Sequence, residues 1–82
     1  MFDLFEGRCA GFLFDCYSPA TDLSHILPRS RGKVARHWKN IVLHCRGCHS
    51  EYHRLGASDE NVEILYERRE KILRELGKEE YV

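Results

Sequence analysis

Apolar positions are most regular near the C-terminal end, where Val62, Leu65, Arg69, Ile72 and Leu76 recur at alternating three- and four-residue steps. That period predicts an amphipathic helix, with Ser58 as N-cap, Asp59 and Glu60 as first-turn acids, and Gly77 as the stop. Tyr66 and Leu73 widen the apolar stripe, and Arg69 fits it if its alkyl stem lies on the stripe with its head in water. The expected role is packing against a small core, with partner binding or dimerisation as the alternative. Upstream the period changes. DLSHIL, residues 22–27, reads as a short strand stopped by Pro28, and the β-branched run Ile41, Val42, Leu43 reads as a second. Between them PRSRGKVARHWK is polar, basic and broken by Gly32, so the two strands are expected to form a hairpin with a long loop. SEYHRL then makes about two helical turns before Gly56 ends it.

These elements add up to one small α+β domain over residues 1–82, without internal repeat or linker. A core of this size is marginal alone, which makes a covalent or metal staple plausible. MFDLFEGR lacks a basic start followed by an apolar run, and no apolar stretch approaches the ~20 residues needed to span a bilayer. The expectation is a soluble, cytoplasmic protein without a membrane partner. In a reducing compartment, closely spaced cysteines are metal ligands more often than disulfides.

Charge sharpens this picture because the formal net charge of zero hides segregation. Residues 29–54 carry Arg29, Arg31, Lys33, Arg36, Lys39, Arg46 and Arg54 against the single acid Glu51, whereas the segments on either side are each net acidic. Such a run is either a solvated loop or a surface for a polyanion. It encloses the densest ligand chemistry of the chain, NIVLHCRGCHSEYH, which favours the polyanion.

Cys45-x2-Cys48 has the spacing of a zinc knuckle, in which a tight turn points both thiolates at one ion. Cys9 and Cys16 are the candidates for the other half, with Gly11 giving the six residues between them freedom to loop out. A redox pair and small buried thiols are the alternatives. His49 and His53 stand four apart on a predicted helix, which puts both imidazoles on one face about a turn apart, as ligands of one divalent metal require. His25 lies on the preceding strand and Asn40 opens the next one. His44 reads as a substrate-side or solvent residue, Trp38 as a core or lid aromatic, and His37 as part of the basic loop.

The pieces SHILPRS, WKNIVLHC and CRGCH, with the spacing His25-x14-Asn40-x8-His49-x3-His53, resemble the HNH endonucleases of the ββα-metal fold. The cysteine pairs resemble the zinc-bearing HNH proteins of phages and prophages. The resemblance covers residues 9–53, about half of the chain. It implies a metal-dependent DNA endonuclease or nickase of a bacterial host or phage, with Cys9, Cys16, Cys45 and Cys48 on a structural Zn2+. It makes His25 the general base and Asn40 the residue that orders the loop and orients His25. His49 and His53 would bind a catalytic Mg2+, Mn2+, Ni2+ or Zn2+, and the substrate is DNA, with phage DNA-packaging proteins as further partners. Arg29, Arg31, Lys33, Arg36 and Lys39 would line the path of the DNA. HNH enzymes usually carry a metal ligand immediately before the catalytic His, where this chain has Ser24. Asp22 is the nearest replacement, directly or through water. The competing readings are a non-catalytic zinc-stabilised nucleic-acid-binding module and a structural adaptor.

Overall fold

The structure, a computed structural model, describes residues 2–16, 18–27 and 38–82. Strands β1 (Asp22–His25) and β2 (Ile41–His44) pair antiparallel, with Asp22 opposite His44, Leu23 opposite Leu43, Ser24 opposite Val42 and His25 opposite Ile41. The expected hairpin is therefore present, with β1 two residues shorter than its apolar run. Ile26 and Leu27 leave the ladder for Asn40, at the end of a 3-10 turn (Trp38–Asn40): the Ile26 amide donates to its backbone carbonyl at 2.8 Å and the Leu27 amide to its side-chain oxygen at 2.8 Å. Pro28, Arg29, Arg31, Lys33, Arg36 and His37 lie outside the described residues, as does the side chain of Trp38.

Helix α1 (Phe2–Phe5) is too short to give a periodic signal, yet it delivers Phe5 to the core. Helix α2 (Arg46–Leu55) starts four residues before the SEYHRL turn pattern begins. Its first turn contains Gly47 and Cys48, so the bend demanded by the thiolate spacing and the helix nucleus are the same piece of chain. Gly56, at φ +84°, ends it and donates its amide to the Tyr52 carbonyl at 2.9 Å. Helix α3 (Asp59–Glu75) is the periodic element, capped by Ser58 Oγ, which accepts from the Asn61 amide at 3.2 Å. After it, Gly77 takes φ +72° and the Lys78 amide returns to the Leu73 carbonyl at 2.7 Å.

Leu65, Ile72 and Leu73 of α3 close over Phe5, Phe12, Ile26, Val42, Leu43 and Tyr52. Each fully buried apolar side chain contributes roughly 1.5–3 kcal/mol. Arg69 corrects one expectation: it is only 4% exposed, so its head is inside the fold rather than in water. The guanidinium lies 5.8 Å from the centre of the Phe5 ring and donates from Nη2 to the Tyr81 carbonyl at 3.1 Å, in a 3-10 turn (Glu79–Tyr81) that folds back over α3. Among the described residues, no helix is long and apolar enough to cross a membrane.

Candidate functional site

Two groups of side chains flank the start of α2. The first is Cys9, Cys16, Cys45 and Cys48, all free thiols, whose sulfur atoms lie within 4.8 Å of one another. The Cys16 and Cys45 sulfurs are 3.9 Å apart, close to the roughly 3.8 Å edge of a tetrahedron with metal–sulfur bonds of about 2.3 Å. The wide Cys9–Cys16 spacing is absorbed by a loop that turns at Gly11, where φ is +75° and an added Cβ would stand 2.4 Å from the Phe14 carbonyl oxygen. The Gly11 amide meets Cys9 Sγ at 3.4 Å, and the Ala10 amide donates to the Leu43 carbonyl at 2.8 Å, so the knuckle is anchored on β2. Burial pushes the Cys9 and Cys48 thiols up, whereas the Ser18 backbone draws Cys16 down to about 7. Four converging sulfurs, two of them buried, are a donor set suited to a structural dication such as zinc, whose charge removes the cost of ionising them together.

The second group is formed by the histidines. His25, His49 and His53 line one cleft of about 300 Å³ together with Ile26, Tyr52, Gly56 and Ala57. The helical spacing of His49 and His53 brings their Nε2 atoms to 3.1 Å, a separation at which both can face one cation. Asp22 approaches from β1, with Oδ2 2.9 Å from His49 Nδ1 and 3.1 Å from Arg46 Nε, while Oδ1 accepts from the Thr21 hydroxyl at 3.0 Å. The hydrogen bond from His49, helped by Thr21 and Arg46, holds the Asp22 carboxyl below the usual carboxylate range. Ser24 is 1% exposed, and its hydroxyl has no hydrogen-bond partner among the described residues. Lys39 is exposed at the 3-10 turn.

Asn40 is buried behind the cleft. Its Oδ1 accepts from the Leu27 amide at 2.8 Å and its Nδ2 donates to the Leu27 carbonyl at 3.1 Å, a two-point clamp on the chain just past His25. Two tyrosines complete this support. The Tyr66 hydroxyl donates to Asn40 Oδ1 at 3.0 Å, and the Tyr52 hydroxyl donates to the Ile26 carbonyl. The apolar pattern reads Tyr66 only as part of the α3 stripe, and nothing in that pattern reveals its polar tip. Tyr52, three residues after His49 on α2, does carry a signal in its helical spacing. His44 is a correction: the ring is fully buried, not at the substrate or solvent side. It donates from Nε2 to the Gly11 carbonyl at 2.8 Å, which fixes the neutral tautomer, and burial draws its pKa down. The available signal was the apolar run Ile41, Val42, Leu43, which His44 continues on a strand whose every residue is buried.

The β-hairpin feeds directly into α2, and this part of the chain is the part that a known family matches. The HNH endonuclease family matches residues 7–55, more than half of the chain. The chain belongs to the HNH endonuclease family. No curated protein and no solved structure matches it. The HNH match contains both knuckles, the hairpin and α2, and leaves out α3. Membership supports nuclease-type chemistry on nucleic acid in general.

Proposed function

We propose that this HNH chain is a metal-dependent DNA endonuclease built on a ββα-metal core, with a structural zinc on the four thiols. The observation that carries the reading is the single cleft shared by His25, His49 and His53, inside the region matched by the family. His25 acts as general base. As a neutral imidazole it takes a proton from water, the water oxygen attacks phosphorus, and the bond from phosphorus to the 3′ oxygen breaks. His49 and His53 hold a divalent cation, Mg2+, Mn2+, Ni2+ or Zn2+, which supplies Lewis-acid stabilisation of the charge on the phosphoryl oxygens and the departing 3′ oxygen. Asn40 fixes the backbone that follows His25, so that the imidazole enters the cleft at one angle. Arg29, Arg31, Lys33, Arg36 and Lys39 neutralise the phosphodiester backbone.

A single histidine pair reaches one phosphodiester at a time, so the expected product of one chain is a nick. Plasmid nicking with and without added Mg2+, Mn2+ or Ni2+, comparing wild type with His25→Ala, tests the reading. Loss of the general base lowers the rate by about 10²–10⁴ while cation binding survives. The buried, unpartnered Ser24 hydroxyl, in the place where a ligand is usual, favours a second reading as a zinc-stabilised nucleic-acid-binding module without catalysis. Wild type that binds the plasmid but leaves it uncut with every added cation would select that second reading, whereas a His25→Ala protein that cuts as fast as wild type would remove His25 as the base.

A further inference from the structure

Asp22 is placed to be a metal ligand by sequence and to be something else by geometry. Its Oδ1 is occupied by Thr21 and its Oδ2 by both Arg46 and His49, so three donors already converge on the carboxylate. The nitrogen of His49 that it meets is Nδ1, whereas the nitrogen that faces His53 is Nε2. A neutral imidazole has one N–H and one lone pair, and an ionised carboxylate only accepts. The proton of His49 therefore sits on Nδ1, and its lone pair points from Nε2 toward His53. Two Nε2 lone pairs cannot face each other at 3.1 Å, so His53 in the cation-free protein carries its proton on Nε2 and donates it to His49. The two rings hold opposite tautomers.

We propose that Asp22 is a positioning residue of the HNH site: its carboxylate locks His49 as the Nδ1–H tautomer and presents the Nε2 lone pair for a divalent cation, instead of ligating that cation itself. This rests on the reading of His49 and His53 as cation ligands. Asp22 is suited to the task because its side chain is 15% exposed, shielded enough for the hydrogen bond to compete with water. A carboxylate on the outer nitrogen also makes the inner one a stronger donor. When a cation enters, His53 gives up its hydrogen bond to His49 and moves its proton from Nε2 to Nδ1 through solvent, to which its exposed ring has access. His49 needs no such change.

The test is ¹⁵N nuclear magnetic resonance of the histidine rings in the zinc-loaded full chain at mildly alkaline pH, without added second metal. In wild type His49 is expected as Nδ1–H and His53 as Nε2–H, with His53 switching to Nδ1–H on addition of diamagnetic Zn2+ beyond the structural equivalent. In Asp22→Ala, His49 loses its fixed tautomer and populates Nε2–H. Ni2+ affinity by calorimetry falls about 10- to 100-fold, with zinc content and circular dichroism unchanged. A wild-type His49 protonated on Nε2 overturns the proposal without recourse to any variant. So does weakened Ni2+ binding with an unaltered His49 tautomer, which would make Asp22 a ligand after all. Ring tautomers are read without DNA, so failure of the protein to cut DNA would refute the nuclease reading and leave this one standing.

Discussion

Asn40 illustrates how much one polar side chain can decide. Its amide satisfies both the N–H and the C=O of Leu27, and Tyr66 occupies the remaining acceptor capacity of Oδ1. Asn40→Ala leaves two peptide groups without partners, at a cost of about 1–3 kcal/mol for each one that stays out of water. The urea midpoint is expected to fall accordingly, and nicking to fall with it because the chain after His25 is no longer clamped. Tyr66→Phe removes one hydrogen bond and leaves the clamp, so its cost is expected near 0.5–1.5 kcal/mol with most of the nicking rate retained. Equal losses in the two variants would mean that the clamp on Leu27 has no role in holding His25.

At the scale of elements, the legible parts of the sequence are those whose signal is local. Helix α3 shows its period, its Ser58 cap and its Gly77 stop within one stretch, and the hairpin shows a strand-like run ended by Pro28 and a β-branched run, on either side of a polar stretch. The candidate site residues stand out because the HNH pattern ties residue type to spacing, and the fold brings His25, His49 and His53 to one cleft. Partners set by tertiary packing were not legible. Nothing near Arg69 in sequence announces that Tyr81 folds back to accept its hydrogen bond, and nothing near Asp22 places it on the outer nitrogen of His49. The long knuckle is intermediate, since Gly11 marks a bend but not the carbonyl that it must pass. Gly11→Ala combines a left-handed φ with a Cβ at 2.4 Å from the Phe14 oxygen. It is expected to open the Cys9–Cys16 loop and weaken zinc retention against a chelator. Gly56→Ala, also at positive φ but with no atom within 4 Å of the new Cβ, should leave zinc retention as it is.

For the whole molecule, the magnitudes favour the metal as the keystone. A domain of 82 residues has a net stability of about 4–12 kcal/mol at roughly 0.05–0.15 kcal/mol per residue. A structural zinc on thiolates contributes about 10–16 kcal/mol near neutral pH, and that binding energy is folding energy. Stripping the ion is therefore expected to unfold most of the domain, seen as loss of ordered circular dichroism and its return with Zn2+. Native circular dichroism in a metal-free preparation would remove the zinc from this account. The surface ion pairs do not substitute for it. Arg8–Glu75, Lys78–Glu6 and the contacts of Asp15 with Arg68 and Lys71 join the N-terminal segment to α3 and its end, but exposed pairs are worth at most about 1 kcal/mol each.

Those same ion pairs shape how the chain meets a polyanion. The N-terminal acids Glu6 and Asp15 face bases that follow Ser58, and Arg8 faces Glu75, so the two acidic segments neutralise part of each other's charge. The basic stretch from Arg29 to Arg54 has only Glu51 within it, and Glu51 is engaged by Arg54. Arg46 is bound to Asp22 through Nε, yet its side chain is 81% exposed. Binding to duplex DNA should therefore be governed by counterion release, with the logarithm of affinity falling linearly against the logarithm of salt concentration. Each phosphate contact contributes about 0.9 to the slope. Replacing Arg29, Arg31 and Lys33 together by Ala is expected to flatten the slope by about two to three, measured by fluorescence anisotropy of a labelled duplex over a salt series. Arg46→Ala should flatten it by about one if the exposed guanidinium meets a phosphate next to the His49 and His53 pair. A triple variant with the wild-type slope, alongside a flattened Arg46→Ala, would route the DNA over the start of α2 and away from residues 29–33.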